Sequence, residues 1–144
     1  MNQAQLKAMK YGQAINDAIA VIEKQQDILN PEFEVIKKEV EAGTFAEMDE
    51  TEYEKIRKDF SAGTKEYKTV LQNLEDAKAP ARMMGTHMSL VNSFRSYVEG
   101  CTEMTKSLGK GRKVNKKKFG ESEATQDKYM DKFSYQIQKL TQNM

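Results

Sequence analysis

A helical pattern is clearest in residues 52–77, whose sequence is EYEKIRKDFSAGTKEYKTVLQNLEDA. Apolar or small side chains recur there at alternating steps of three and four residues, which places them on one face of a helix. The members of this face are Tyr53, Ile56, Phe60, Gly63, Tyr67, Val70, Leu74 and Ala77. Thr51 and Glu54 have the spacing of a capping box, so a helix is predicted to begin near residue 52.

Residues 81–108 repeat this pattern, and Pro80 separates the two segments because the residue before a proline avoids the helical conformation. The inward face of this segment is Met84, His87, Val91, Phe94, Val98, Cys101, Thr105 and Leu108, widened by Met83, Leu90, Tyr97 and Met104. Residues 122–143 form a third such segment, with Gln126, Tyr129, Phe133, Ile137, Leu140 and Met144 on its face. Two further helices are therefore predicted.

The first segment, residues 3–29, carries a weaker stripe in which Ala8, Ile15, Ile22 and Leu29 are seven residues apart. Asn30 and Pro31 then fit an N-cap followed by proline at the first position of a new helix. This favours a separate short helix, Pro31–Ala42, with Phe33, Ile36 and Val40 facing inward and Gly43 ending it. The alternative is one long helix kinked at Pro31.

No segment alternates with a period of two, so no β-strand is predicted. The 144 residues suit a single domain spanning positions 1–144. Stripes of this spacing, joined by short turns, predict an all-α fold, namely an antiparallel bundle of four long helices plus one short helix. Gly109, Gly111 and Gly120 are expected to bracket a basic loop, residues 109–120, before the last helix.

The chain contains one cysteine and one histidine, which excludes an internal disulfide framework and disfavours a Cys/His metal site. A bundle-type di-metal centre needs two Glu-x-x-His pairs, which one histidine cannot supply. His87 and Cys101 would lie about 21 Å apart along one helix, too far for a nucleophile and its base. We therefore predict no catalytic residue, no metal and no cofactor, and expect both side chains to be buried and structural.

The net charge of +1 hides two blocks of opposite sign. The acidic block is Glu39, Glu41, Glu47, Asp49, Glu50, Glu52 and Glu54, and the basic block is Lys106, Lys110, Arg112, Lys113, Lys116, Lys117 and Lys118. The two helices between the blocks are of equal length, so an antiparallel hairpin returns both blocks to the same end of the bundle. They either neutralise each other there or contact another chain or an anionic partner.

A stripe of small residues on the fourth predicted helix would let another helix approach closely, and methionines adapt to irregular binding surfaces. The candidate partner-binding residues are Met83, Met84, Gly85, Met88, Ser89, Ser93, Ser96 and Gly100. The neighbour is either the alanine-bearing first helix (Ala4, Ala8, Ala14 and Ala18) or a helix of another chain. The function predicted is that of a non-enzymatic helical interaction protein, an adaptor, assembly factor or partner-binding module that recognises another protein or itself through helix packing.

The alternative function is anion binding through the basic loop, on nucleic acid or anionic lipid. The candidate residues are Lys110, Arg112, Lys113, Lys116, Lys117 and Lys118. No aromatic side chain interleaves with these cations to stack on bases, and only Phe119 adjoins them. Nucleic acid or lipid is therefore the less favoured partner.

The longest nearly apolar run, Ala18–Ile22, is too short to cross a bilayer, and no transmembrane segment is predicted. Residues 1–17 show no apolar region typical of a secretory signal, so a cytoplasmic location is expected, with leaderless export left open.

Three segments carry a resemblance to a group of known proteins. They are residues 79–87 (APARMMGTH), a middle segment consisting of residues 93–94, residues 97–101 and Met104, and residues 136–141 (QIQKLT). These segments resemble small uncharacterised helical-bundle proteins of Gram-positive bacteria. The resemblance implies a bacterial helical bundle, and it brings no activity, cofactor or site residue with it.

Overall fold

The computed structural model describes residues 1–143, in which four long helices follow one another. They are α1 (Gln3–Ala42), α2 (Glu50–Asp76), α3 (Met84–Ser107) and α4 (Lys116–Gln142). Short 3₁₀ turns, Phe45–Glu47 and Ala81–Met83, lie in the first two connections. Each helix packs antiparallel to the next, and the α3–α4 interface is the most extensive. The predicted all-α antiparallel bundle of four long helices is confirmed.

Helix α1 runs unbroken through Pro31, so the separate short helix Pro31–Ala42 predicted from the sequence is wrong. Proline removes one backbone hydrogen bond from the helix. Its ring is exposed, however, and the buried stripe continues in phase on both sides, at Ile22 and Ile36. Burying that stripe in one line outweighs the lost bond. Asn2 and Gln5 close a capping box at the start, and Gly43 ends the helix at a φ of 72°.

The predicted basic loop 109–120 is much shorter in the structure. Leu108–Gly109 (β1) and Lys113–Val114 (β2) pair as a small antiparallel hairpin, so the prediction of no strands is wrong. Gly111 and Arg112 have positive φ values, 71° and 59°, and this left-handed conformation turns the chain within the hairpin. Strands of two residues are too short to show a period of two in the sequence.

Two helices begin earlier than the sequence patterns predict. Helix α2 starts at Glu50, where the Asp49 carboxylate accepts a hydrogen bond from the Glu52 amide, so Thr51 is not its cap. Helix α4 starts at Lys116, where the Asn115 side chain accepts a bond from the Lys118 amide. Three lysines assigned to the loop therefore stand in the first turn of α4.

The core consists of two clusters stacked along the bundle. The larger lies towards the α2–α3 connection and includes Tyr11, Ile22, Leu74, Phe94 and Phe133. The smaller lies at the hairpin end, where Ile36, Tyr53, Ile56, Met104 and Phe119 pack together. Over the full membership of the two clusters, the faces predicted for α2 and α3 supply most of the residues. Met144, also predicted to face inward, lies outside the described residues.

The small-residue stripe of α3 packs against α4 over most of its length, rather than against the alanines of α1, one of the two neighbours predicted. A Cβ atom built on Gly100 would lie 3.0 Å from Gln126 Cγ and 3.1 Å from Thr125 Cγ2. Further along, one end of the Gln136 side-chain amide lies 3.0 Å from Ser93 Oγ and 3.2 Å from the Ser89 carbonyl oxygen. Glycine and serine on α3 thus permit the close approach that makes this interface extensive.

Candidate functional site

A layer of small and polar side chains separates the two core clusters at mid-bundle. Thr64 of α2 and Thr105 of α3 bring their hydroxyls within 3.3 Å of each other, and each also donates to a backbone carbonyl of its own helix. The Cys101 thiol faces Gln126 of α4, with 3.6 Å between Sγ and Oε1. These positions point into the core, where larger apolar residues usually stand. The core is therefore underfilled at this level.

A cavity of about 180 Å³ occupies this layer and is lined by all four helices. Its walls include the rings of Phe33, Phe60, Tyr67 and Tyr97. Gln26 and Asn30 of α1, and Glu123 and Asp127 of α4, lie at its edge. The cavity thus combines aromatic walls with a polar opening between the first and last helices.

Burial keeps the thiol and the two phenols of the cavity wall in their neutral forms. It raises the pKa of the Cys101 thiol and of the Tyr67 phenol to about 12 each, and raises the pKa of Tyr97 further still. A thiol with such a pKa is a poor nucleophile at neutral pH. The cavity is suited to holding a molecule rather than to attacking one.

The second notable region is the charged end, which we define as the hairpin, the first turn of α4, the α1–α2 connection and the first turn of α2. Hydrogen bonds to backbone carbonyls hold its parts together: Tyr53 OH donates to the Gly109 carbonyl at 2.6 Å, and Arg57 Nε to the Leu108 carbonyl at 2.8 Å. Arg112 Nη1 donates to the Met48 carbonyl at 2.8 Å. The prediction that both charged blocks lie at one end is confirmed.

Few of the cations at this end are neutralised by acids. Lys118 lies 3.1 Å from Glu103 and lowers the pKa of that carboxyl group by hydrogen bonding and by charge. Lys117 stands 3.8 Å from Glu121, and Lys116 lies over the Phe45 ring. Within residues 1–143, no ion pair joins the acidic block to the basic block. The acidic and basic side chains therefore lie at the same end of the bundle without forming ion pairs with each other.

The candidate partner-binding residues are divided by the structure. Met83, Ser93 and Gly100 are buried inside the bundle, and Ser96 is half-buried. Gly85 and Ser89 are exposed near the start of α3, together with Met84 and Met88, which are 50% and 61% exposed. The stripe is thus covered by the chain itself over most of its length, and only its first two turns are open.

His87 is buried beside Tyr11, whose hydroxyl lies 2.7 Å from its Nδ1 atom. Burial lowers the pKa of His87, partly offset by a hydrogen bond with the backbone of Leu74. Burial also raises the pKa of Tyr11 to about 12, so the phenol and the imidazole meet as neutral groups at pH 7. The contact ties α1 to α3. Both His87 and Cys101 are buried, as predicted.

This arrangement makes stability depend on pH. The folded-state pKa of His87 is below its unfolded value of about 6.5. Between these two values the unfolded chain binds a proton that the native state does not, so the free energy of unfolding should fall as the pH falls below about 6.5. Urea denaturation at pH 7.5 and at lower pH measures this. The His87→Gln variant should lose this part of the pH dependence; an unchanged profile would contradict it.

Sequence reasoning missed the cavity. Phe60, Tyr67, Cys101, Thr105 and Gln126 were all placed on inward faces, which is correct. The signal that could have revealed the cavity is that three helices carry polar or small residues at one level of the core. Finding that level requires the register between helices, which a single sequence does not supply.

Among residues 1–143, no helix is long and apolar enough to cross a membrane. The same part of the chain holds no group of three His, Cys, Asp or Glu side chains that could bind a metal ion. No protein-family model, no curated protein and no solved structure gives a significant match to the chain.

Proposed function

We propose that this chain is a non-enzymatic helical interaction protein whose binding surface is the charged end of the bundle. The observation that carries the proposal is that the acidic block and the basic block lie at the same end of the bundle. Within the described residues they form no ion pairs with each other. Such a surface attracts a partner with the opposite arrangement of charge and orients it during the encounter.

The partner that fits this arrangement most directly is a second copy of the chain. In a two-fold contact, the acidic cluster of each copy faces the basic cluster of the other, because the same surface is used twice. The hydrogen bonds from Tyr53, Arg57 and Arg112 fix the hairpin, so the lysines are presented on a rigid support. Exposed charges associate weakly and are screened by salt, so the complex should be reversible and salt-sensitive.

Light scattering with size-exclusion chromatography at low and high salt tests this association. We expect dimers at low salt that dissociate at high salt. Reversing Lys110, Lys113 and Lys116 to glutamate should abolish them, as should reversing Glu47, Glu50 and Glu52 to lysine. Mixing these two variants should restore association, because each supplies what the other lacks. A monomer at both salts, or a dimer indifferent to salt and to charge reversal, would contradict the proposal.

Anion binding is a second candidate, favoured by the first turn of α4. Lys116, Lys117 and Lys118 stand at the positive end of the helix dipole, where cations cost stability and anions are favoured. A fluorescein-labelled single-stranded DNA and vesicles containing phosphatidylglycerol are suitable separate probes. Binding should fall steeply with salt and should be lost when the three lysines are replaced by alanine. Alanine at Lys128, Lys132 and Lys139 of the same helix is the matched control; equal losses in both sets would refute a specific site.

A further inference from the structure

The mid-bundle cavity interrupts an otherwise well-filled core. On either side of it the inward positions hold fully buried aromatic and aliphatic side chains, such as Phe94 above and Ile56 below. Protein interiors are close-packed, and voids larger than a water molecule are few. In this layer, however, threonine and cysteine stand where leucine would fill the space. Departures from such a local rule are typical of functional positions.

The walls of the cavity suit one aromatic ring. Phe33, Phe60, Tyr67 and Tyr97 line it, and its volume is about 180 Å³. By comparison, an engineered apolar cavity of about 150 Å³ binds benzene. A single six-membered ring with a short side chain therefore fits, whereas a nucleotide or a long acyl chain does not.

The charge at the mouth selects for a cation. Glu123 is held by Lys37 at 2.8 Å, which leaves that pair neutral. Asp127, one turn further along α4, takes part in none of the ion pairs within residues 1–143, so its charge is free to attract a ligand. Aromatic faces also attract cations, most strongly where water is excluded. Both features point to a positively charged group near the opening.

We propose that the mid-bundle cavity binds a small aromatic amine, with the ring between the aromatic walls and the ammonium group near the carboxylate of Asp127. This site is independent of the charged end, since it opens between α1 and α4 at mid-length. No chemical step is involved: the molecule is held without covalent change.

Phenethylamine is a suitable probe, and 2-phenylethanol and phenylacetate are its neutral and anionic counterparts of similar shape. Isothermal titration calorimetry should rank the amine first, the alcohol second and the acid last. The unique Cys101 locates the site, because a bound ligand should slow the reaction of its thiol with a small uncharged thiosulfonate. Absence of measurable binding by all three compounds, or binding that leaves Cys101 unprotected, would overturn the proposal.

Three variants sharpen the test. Asp127→Asn should weaken amine binding about fivefold, as expected for a partly exposed ion pair, and leave alcohol binding unchanged. Thr105→Leu should fill the cavity, abolish binding and raise the melting temperature by about 3–4 °C. The matched control is Thr69→Leu, since Thr69 also donates to the carbonyl four residues earlier but is exposed. Binding that survives in Thr105→Leu, or equal affinity for amine and alcohol in the native chain, would contradict the proposal.

Discussion

Replacing Phe94 by alanine should lower the free energy of unfolding by about 3–5 kcal/mol, the range typical for deletion of a buried ring. Phe94 is 0% exposed and contacts three other aromatic rings, those of Tyr67, Tyr97 and Phe133, at centroid distances of 6.1, 5.8 and 5.2 Å. Truncation leaves a void that these neighbours cannot fill without leaving their own contacts. A loss of this size is a large part of the total stability of a domain.

Urea denaturation monitored by circular dichroism measures the effect. Tyr135→Ala is the matched control, because it removes an aromatic ring that is 60% exposed on α4. It should cost at most about 0.5 kcal/mol, as surface substitutions usually do. If the two variants lost similar stability, the assignment of Phe94 to the centre of the core would be wrong.

Replacing Gly100 by leucine should destabilise the fold by about 1–3 kcal/mol, the usual cost of overpacking. The Cβ position alone is 3.4 Å from the backbone nitrogen of Gln126 and closer still to two side chains, so a leucine must push α4 away. Since α3 and α4 share the largest interface, separation there should also loosen the mid-bundle cavity, to which both helices contribute.

Gly85, on the same helix, provides the opposite expectation. Apart from the adjoining backbone of its own helix, no group lies within 4 Å of a Cβ built at that position. Gly85→Ala should therefore stabilise the chain by roughly 0.5–1 kcal/mol, through helix propensity and a less flexible unfolded state. Opposite signs at the two glycines would establish that α3 meets α4 at Gly100. Stabilisation at both positions would contradict the close approach.

The helical faces were predictable because burial imposes a period of 3.6 residues, and that period survives in one sequence. Tyr53, Ile56 and Phe60 of α2 are buried, as their spacing indicates. Pro31 was misinterpreted because a proline after asparagine is a strong local signal for a new helix. The signal that opposed it is non-local: Leu29 and Ile36 keep the stripe in phase across the proline.

The sequence was a poorer guide to which helical face packs against which. Serines and glycines on α3 indicate that another helix packs closely against it, but they do not identify that helix. The alanines of α1 were an equally good match in composition, whereas α4 offers Thr125 and Gln136, which look like surface residues in the sequence. Both side chains lie against α3 only because its glycine and serine residues let α4 approach closely.

The placement of both charged blocks at one end could be predicted from the sequence, because it depends only on helix length. Two helices of similar length, one after the other, must return near their starting level, so the acidic and basic blocks had to meet. What the pattern could not supply is the way they meet. Backbone carbonyls of Leu108, Gly109 and Met48, rather than carboxylates, accept the bonds that fix the hairpin.

The order in which the helices pack has a consequence for how fast the chain folds. Each helix makes its main interface with a helix adjacent to it along the chain, so the average separation in sequence between touching residues is low. Proteins rich in such local contacts close only short loops before contacts form, and they fold in microseconds to milliseconds. The contact between Phe33 of α1 and Phe119 of α4 spans most of the chain. It should therefore form late, after each pair of consecutive helices has already packed together.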